Sequence, residues 1–160
     1  KMDYAELFDV IERHADNRDL LMDFDIHLAH HDEYYDLGIE RGRKKSRDMY
    51  MVSINDSHVG DPFVGVNCSH LDFNYDVQRD LIKDVDIRLL GSLKGQGYGK
   101  KLVEVMEETA IDFGCRGIVV GDVSNHKFWK SNGYGLARGR QSGKSFRVKG
   151  FGLRELKRAA

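Results

Sequence analysis

The 160-residue chain balances 25 Lys and Arg against 26 Asp and Glu, for a formal net charge of −1, and is 41% hydrophobic. That is enough for a single domain with one core, spanning 2–160. A mean hydropathy of −0.52, and no apolar run near the ~20 residues of a membrane helix, argue against a membrane protein. The opening residues show no secretory h-region either.

The small net charge conceals an asymmetry. Residues 3–40 hold twelve Asp/Glu against Arg13 and Arg18, whereas 136–160 hold eight Lys/Arg against Glu155. Two such ends do not suit one kind of partner. Cys68 and Cys115 lack metal-ligand spacing and sit in apolar, strand-like segments. They read as buried free thiols, which points to a reducing, cytoplasmic setting.

In chain order, residues 3–15 read as a helix. Asp3 is placed to cap it with Glu6 three residues on, and Leu7, Phe8, Ile11 and Ala15 recur at helical spacing. A second helical stretch is expected over 24–45, broken near Gly38. Strands follow at 49–54, at 63–71 after the only proline, and at 85–90; their short connections suggest antiparallel pairing. Residues 97–113 form an amphipathic helix, with Leu102, Val105, Met106, Thr109, Ala110 and Phe113 on one face and Gly114 closing it. A short apolar strand at 116–121 completes a βαβ unit, so 85–90 and 118–120 are expected to be parallel neighbours. A short helix at 124–131 and strands at 134–140 and 145–153, joined by a turn at 141–144, complete the chain. The fold class is α+β, an α/β/α sandwich on a mixed, mostly antiparallel sheet with one parallel crossing.

The chemistry concentrates where the strand at 85–90 meets the helix at 97–113. There Lys94-Gly95-Gln96-Gly97-Tyr98-Gly99 alternates glycines ahead of a helix start, with Lys100 and Lys101 following. Glycines let the backbone turn tightly and approach a ligand. The free amides and dipole of the helix N-terminus favour an anion, phosphate above all. A Walker loop is excluded, because Gly99-Lys100-Lys101 offers no hydroxyl for Mg²⁺. A dinucleotide fingerprint fails at its third glycine, occupied by Lys100, although Asp122 stands where a ribose-binding acid belongs.

This loop resembles the acetyl-CoA signature Arg/Gln-x-x-Gly-x-Gly/Ala of the GNAT superfamily of N-acetyltransferases, with Lys94 at the first position. Downstream, Asn125-His126-Lys127-Phe128-Trp129-Lys130-Ser131-Asn132-Gly133-Tyr134 is similar to that family's Ala-x-x-Phe-Tyr-x-x-x-Gly-Phe segment. The order of elements matches from Met49 onward, over the last two-thirds of the chain. An opening helix departs from the strand with which the family usually starts.

The resemblance implies acetyl-CoA as co-substrate, in a V-shaped opening between the two parallel strands. Its pantetheine arm would pair with Leu89, Leu90 and Gly91. Its pyrophosphate would sit on Gln96, Gly97, Tyr98, Gly99 and Lys100, in a cofactor-binding loop that begins with Lys94 and Gly95, with Asn125, Phe128 and Trp129 flanking the far side. It implies direct transfer of the acetyl group to a primary amine of a small molecule or peptide, without metal.

Amine acetylation is helped by a base. Asp84 and Asp86 lie on the delivering strand and read either as that base or as ordinary solvent-facing acids. The family's leaving-group tyrosine is replaced by Trp129, whose indole is no acid near neutrality. Either the domain is inactive, Tyr134 substitutes, or no acid is needed. His27, His30, His31 and Asp32 form a cluster without a spacing that fixes a metal site. They read as surface residues or as a lining of the acceptor site. The acidic first segment suggests a cationic acceptor. The basic C-terminal stretch lacks a recognised nucleic-acid motif. The expected activity is therefore N-acetyl transfer by a monomer or homodimer. The alternatives are a non-catalytic CoA-binding module of the same fold and a nucleic-acid-associated protein.

Overall fold

The computed structural model describes residues 3–36, 44–58, 68–121, 123–138 and 145–151, with backbone alone for 32–36, 44–47 and 138. Helix α1 covers Tyr4–Asp16, and the Asp3 side chain accepts from the Glu6 amide at 2.8 Å, as its capping position predicts. Its inward stripe of Leu7, Ile11 and Ala15 is fully buried. Strand β1, Phe24–Asp36, follows, then β2, Lys44–Asp56, in continuous antiparallel register from Phe24↔Asp56 to Asp36↔Lys44.

The helix expected over 24–45 is thus a strand over Phe24–Asp36. Phe24 and Leu28 are buried and Ile26 half-buried on one face, which is a period of two. His27 and His31, four apart, share one face on a helix and on a strand alike, so their spacing does not separate the two. In a strand they stand ~13 Å apart. The expected break at Gly38 falls outside the described residues.

Strand β3 is His70–Asp76, later than the strand expected at 63–71, of which 63–67 lie outside the described residues. Leu71, Phe73 and Tyr75 are buried in alternation with Asp72 and Asn74. Those polar residues, facing away from the core, gave the segment a loop-like composition. Strand β4 is Leu81–Arg88, α2 is Tyr98–Asp112, β5 is Gly117–Val120, α3 is His126–Ser131, β6 is Gly135–Arg138 and β7 is Ser145–Gly150. The turn expected at 141–144 lies outside the described residues. The seven strands run in the order β1-β2-β3-β4-β5-β7-β6. Among the described residues only β4 and β5 are parallel; β7 lies antiparallel between β5 and β6.

Helices α1 and α2 pack on each other. Leu7, Ile11 and Ala15 of α1 join Leu102, Met106 and Ala110 of α2, and Val52, Ile54, Leu71 and Phe73 of the sheet, in one buried cluster. Charges bridge the two helices outside this core. Arg18 donates to Glu108 at 2.6 Å, and His14 lies 2.6 Å from Asp112. The far face of β2 and β3 is polar. Ser53, Asn55, His70 and Asp76 are all buried there.

Two irregularities of β4 shape the region beyond it. Asp72 pairs with Asp86 and Asn74 with Lys83, so Phe73 alone faces both Asp84 and Val85. This is a β-bulge, with Asp84 at φ +52° and its carboxylate held by Asn74 Nδ2 at 2.9 Å. In an unbroken strand Asp86 would share the face of Ile82, which is fully buried in the core. The extra residue instead turns Asp86 to the polar face, with Asp72 and His70. The second irregularity is the short pairing of β4 with β5, limited to Leu81↔Gly117 and Ile82↔Ile118. The parallel neighbours are as expected, but the residues named for them, 85–90 and 118–120, are where the strands part.

Candidate active site

Beyond Ile82 and Ile118 the parallel strands no longer bond to each other, and a cavity of about 690 Å³ opens between them. One wall is Val85, Asp86, Ile87 and Leu89 of the β4 side. The opposite wall is Val120, Gly121 and Val123 after β5, with Ser124 and Asn125. Helix α3 adds Phe128, Trp129 and Ser131, and the floor toward α2 is Lys94, Gly95, Gly97, Gly99 and Lys100. A parallel strand freed of its neighbour presents a row of unpaired amides and carbonyls. That edge can bind an extended, amide-containing arm in place of the missing strand.

The glycine loop reaches α2 through Gly97, which caps the helix at φ +81°. An L-residue is strained in that conformation, and no side chain caps this end. The first helical bond runs from Lys101 N to Gly97 O at 3.3 Å. The amides of Tyr98, Gly99 and Lys100 therefore have no helical partner. The first turn contains no acid, so nothing opposes the positive end of the dipole. Gly99 is required for a different reason. A Cβ there would lie 3.1 Å from Phe128 Cε1 and 3.3 Å from Leu89 Cδ1, so its absence lets α3 and β4 close on the start of α2.

The remaining residues of the expected cofactor site have other places. Leu90 and Gly91 do not line the cavity, because the free edge of β4 begins earlier, at Val85, and a single 3-10 turn starts at Gly91. The Gln96 side chain folds back to donate to the Ser92 carbonyl. Tyr98 points away from the cavity, donating to Asp23 Oδ2 at 2.9 Å and packing on Phe24. It thereby fastens the loop to the start of β1, and the bond to Asp23 raises the phenol above its ordinary range.

On the opposite side Asn125 caps α3, accepting from the Phe128 amide at 3.1 Å. Phe128, Trp129 and Tyr134 form a chain of edge-on rings, with centroids 5.2 Å and 4.9 Å apart. Phe128 and Trp129 reach the cavity but Tyr134 does not. Tyr134 is 1% exposed and donates to Glu107 Oε2 at 3.0 Å. Burial first, and the Glu107 carboxylate second, push its phenol far above the ordinary range. Of the two residues expected to handle protons, the structure brings Asp86 to the cavity and leaves Tyr134 in the core.

Asp86 is backed by a residue that sequence reasoning missed. His70 Nε2 lies 2.8 Å from Asp86 Oδ2, and His70 Nδ1 lies 3.0 Å from the Cys68 carbonyl. Beside them burial pushes the Asp72 carboxyl up, aided by Asp86 and opposed by Ser53 and His70. His70 carried no motif. Its only signal was alternation with Asp72 across a strand that the composition concealed. Ile87 and Val120 were likewise unmarked, since apolar strand residues line a cavity only where pairing fails. Among the described residues no three His, Cys, Asp or Glu are grouped to hold a metal. No helix among them is long and apolar enough to cross a membrane.

No curated protein matches the chain in sequence. Solved structures similar to it include nourseothricin acetyltransferase, 9% identical over 77% of this chain and 95% of that one, with a TM-score of 0.41. An acetyltransferase from Bacillus cereus ATCC 14579 is 15% identical over 94% of each chain, also at 0.41. A chain from Bacillus anthracis str. Ames, designated a streptothricin acetyltransferase and in complex with acetyl coenzyme A, is 11% identical over 78% of this chain and 84% of that one, at 0.39. Residues 14–134 match the Acetyltransferase (GNAT) family. This stretch runs from α1 to the end of the aromatic segment and holds the splayed strands, the glycine loop and α3. The chain belongs to the GNAT acetyltransferase family.

Proposed function

We propose that the protein binds acetyl-CoA between β4 and β5 and transfers its acetyl group directly to a primary amine. The observation that carries this reading is the cavity itself. It joins an uncapped, lysine-flanked helix N-terminus to a free strand edge that ends at a carboxylate. The pyrophosphate is assigned to the amides of residues 98–100, with Lys94 and Lys100 beside it. The pantetheine arm runs back along Leu89 and Ile87, which are ~7 Å apart along the strand. This brings the thioester to Val85 and Asp86. Holding amine and thioester in line supplies more of the rate than any base, roughly 7–11 kcal/mol for well-oriented reactants.

A cationic acceptor is supported by Asp86 and Asp72 on the adjoining polar face. The cysteines support a reducing, cytoplasmic setting, since Cys68 and Cys115 are both free and buried. The protein acts as a monomer or homodimer. A nucleic-acid role finds less support. In the basic C-terminal stretch, Arg147 donates to His126 and to the Tyr134 carbonyl, and Lys149 donates to Glu107. The rest of that stretch lies largely outside the described residues.

One observation favours a second reading, a CoA-binding module without turnover. Trp129 replaces the family's acid, and Tyr134 cannot reach the cavity. Release of CoA from acetyl-CoA, followed with a thiol reagent across polyamines, aminoglycosides, other small amines and peptides, tests both. Amine-dependent release establishes transfer. Tight acetyl-CoA binding without release by any amine supports the module.

A further inference from the structure

We propose that His70 is the proton-holding partner of Asp86, so that the two residues together, and not Asp86 alone, take the proton from the attacking amine. The inference rests on the proposed amine acetylation.

His70 is 1% exposed, yet both ring nitrogens face acceptors: the Cys68 carbonyl at 3.0 Å and Asp86 Oδ2 at 2.8 Å. A carbonyl only accepts, so Nδ1 carries a hydrogen. Nε2 then faces a carboxylate, and that contact is a hydrogen bond only when one further proton lies between ring and carboxyl. The pair is therefore built to hold a single proton. Its outer member belongs to the cavity wall, where the Asp86 side chain is 73% exposed. Asp86 faces His70 only because of the bulge at Asp84 and Val85. Several groups surround the ring: Cys68 and Asp72 on the β3 side, Asp86 and Arg88 on β4, and Asn55 on β2.

The step balances as follows. The acceptor arrives as an ammonium, R–NH₃⁺, and docks on the Asp86 carboxylate. It gives one proton to Asp86, which passes it to Nε2, leaving a neutral amine beside an Asp86 carboxylate and a His70 imidazolium. The nitrogen lone pair forms the C–N bond at the thioester carbonyl, and the C–S bond breaks with its electron pair on sulfur. The second nitrogen proton goes to the thiolate, so the products are an amide and CoA thiol. The pair returns the first proton to water through the exposed Asp86. The imidazole gives the proton a second place to rest that a lone carboxylate does not offer, since transfer from an ammonium to a carboxylate alone is steeply uphill.

The test compares wild type, His70→Gln and Asp86→Asn by acetyl-CoA calorimetry and by the pH dependence of kcat/KM with the best amine. Glutamine still donates to Asp86 but takes up no proton. His70→Gln is expected to bind acetyl-CoA like wild type, to lose about 10²-fold in kcat, and to lose the acid limb of the wild-type profile. A nitrogen-15 spectrum of the imidazoles reads the pair directly. Wild type shows hydrogens on both His70 nitrogens when the pair holds its proton, and Asp86→Asn, altered at an exposed side chain, loses the one on Nε2. Normal acetyl-CoA binding with an unchanged acid limb and kcat within threefold in His70→Gln overturns the proposal. So does an Nε2 signal unaltered in Asp86→Asn. A wild type that binds no acetyl-CoA overturns the proposed function itself, and this inference with it.

Discussion

The Tyr134 hydroxyl donates to Glu107 Oε2 at 3.0 Å, and Lys149 Nζ donates to the same oxygen at 2.8 Å. The phenol's proton is thus committed to a carboxylate of α2, and the ring edge-packs on Trp129. Tyr134 holds α2, β7 and the end of α3 together, and under the proposed function it does not protonate sulfur. Tyr134→Phe is expected to keep kcat within about tenfold, well short of the ~10²–10⁴ effect of removing a true acid. Its cost appears in stability, at about 1 kcal/mol for the lost hydrogen bond, read by denaturant unfolding. A folded Tyr134→Phe protein that binds acetyl-CoA normally but loses more than a hundredfold in kcat contradicts this role.

Trp129 follows from the same arrangement. A CoA thiol with a pKa near the usual ~8.5 leaves tolerably as thiolate near neutrality, so the proposed function asks for no acid at this position. The indole is a wall of the cavity. Trp129→Phe removes contact area and an N–H donor, and is expected to weaken acetyl-CoA binding at least as much as it lowers kcat. A kcat loss with unchanged affinity would assign the indole to the chemical step.

The buried thiols give a pH dependence of stability. Desolvation pushes the Cys115 thiol from 9.0 up to about 11, with Asp80 adding and the Tyr75 hydrogen bond opposing. The folded state therefore keeps a proton that the unfolded chain releases. That contribution is fully present below pH 9.0 and is lost as the pH climbs through about 11. Melting temperature should fall across this interval in wild type and fall less in Cys115→Ala. Equal slopes in the two proteins contradict the assignment.

Two ends of the fold were legible in the sequence to very different degrees. Asp3, Glu6, Leu7 and Ile11 fix α1 through a cap and a 3.6-residue stripe, both local signals. The loop around Gly97 and the helix behind it are equally local, and so is the capping Asn125. Strand β1 offers nothing at His27 and His31 that tells it from a helix, since residues four apart share one face in both. Strand β3 was displaced because its outward residues, Asp72 and Asn74, are polar for a reason found in β4 and not in β3. His70 shows the limit most clearly. It meets Asp86 only because one extra residue in β4 resets the alternation, and nothing within β3 announces that.

A cationic acceptor carries its own signature. Asp86 at the cavity, with Asp72 beside it and an acidic first segment, raises the local concentration of cations. For the best amine, kcat/KM should fall as ionic strength rises from about 0.01 M to 0.15 M, where the screening length shortens from ~30 to ~8 Å. Indifference to salt, or an anionic best acceptor, contradicts this.

The proposed seat of acetyl-CoA on the α2 N-terminus is put to the test by titrating acetyl-CoA calorimetrically into wild type and Gly97→Val side by side. A Cβ at Gly97 meets no protein atom within 4 Å, so the variant is not crowded from within. Its burden is the positive φ of 81°, worth ~1–2 kcal/mol for an L-residue, together with a side chain standing where the backbone approaches phosphate. Wild type is expected to bind one acetyl-CoA per chain saturably, and a folded Gly97→Val protein to lose that binding. Undiminished binding by that folded variant would contradict the proposed seat.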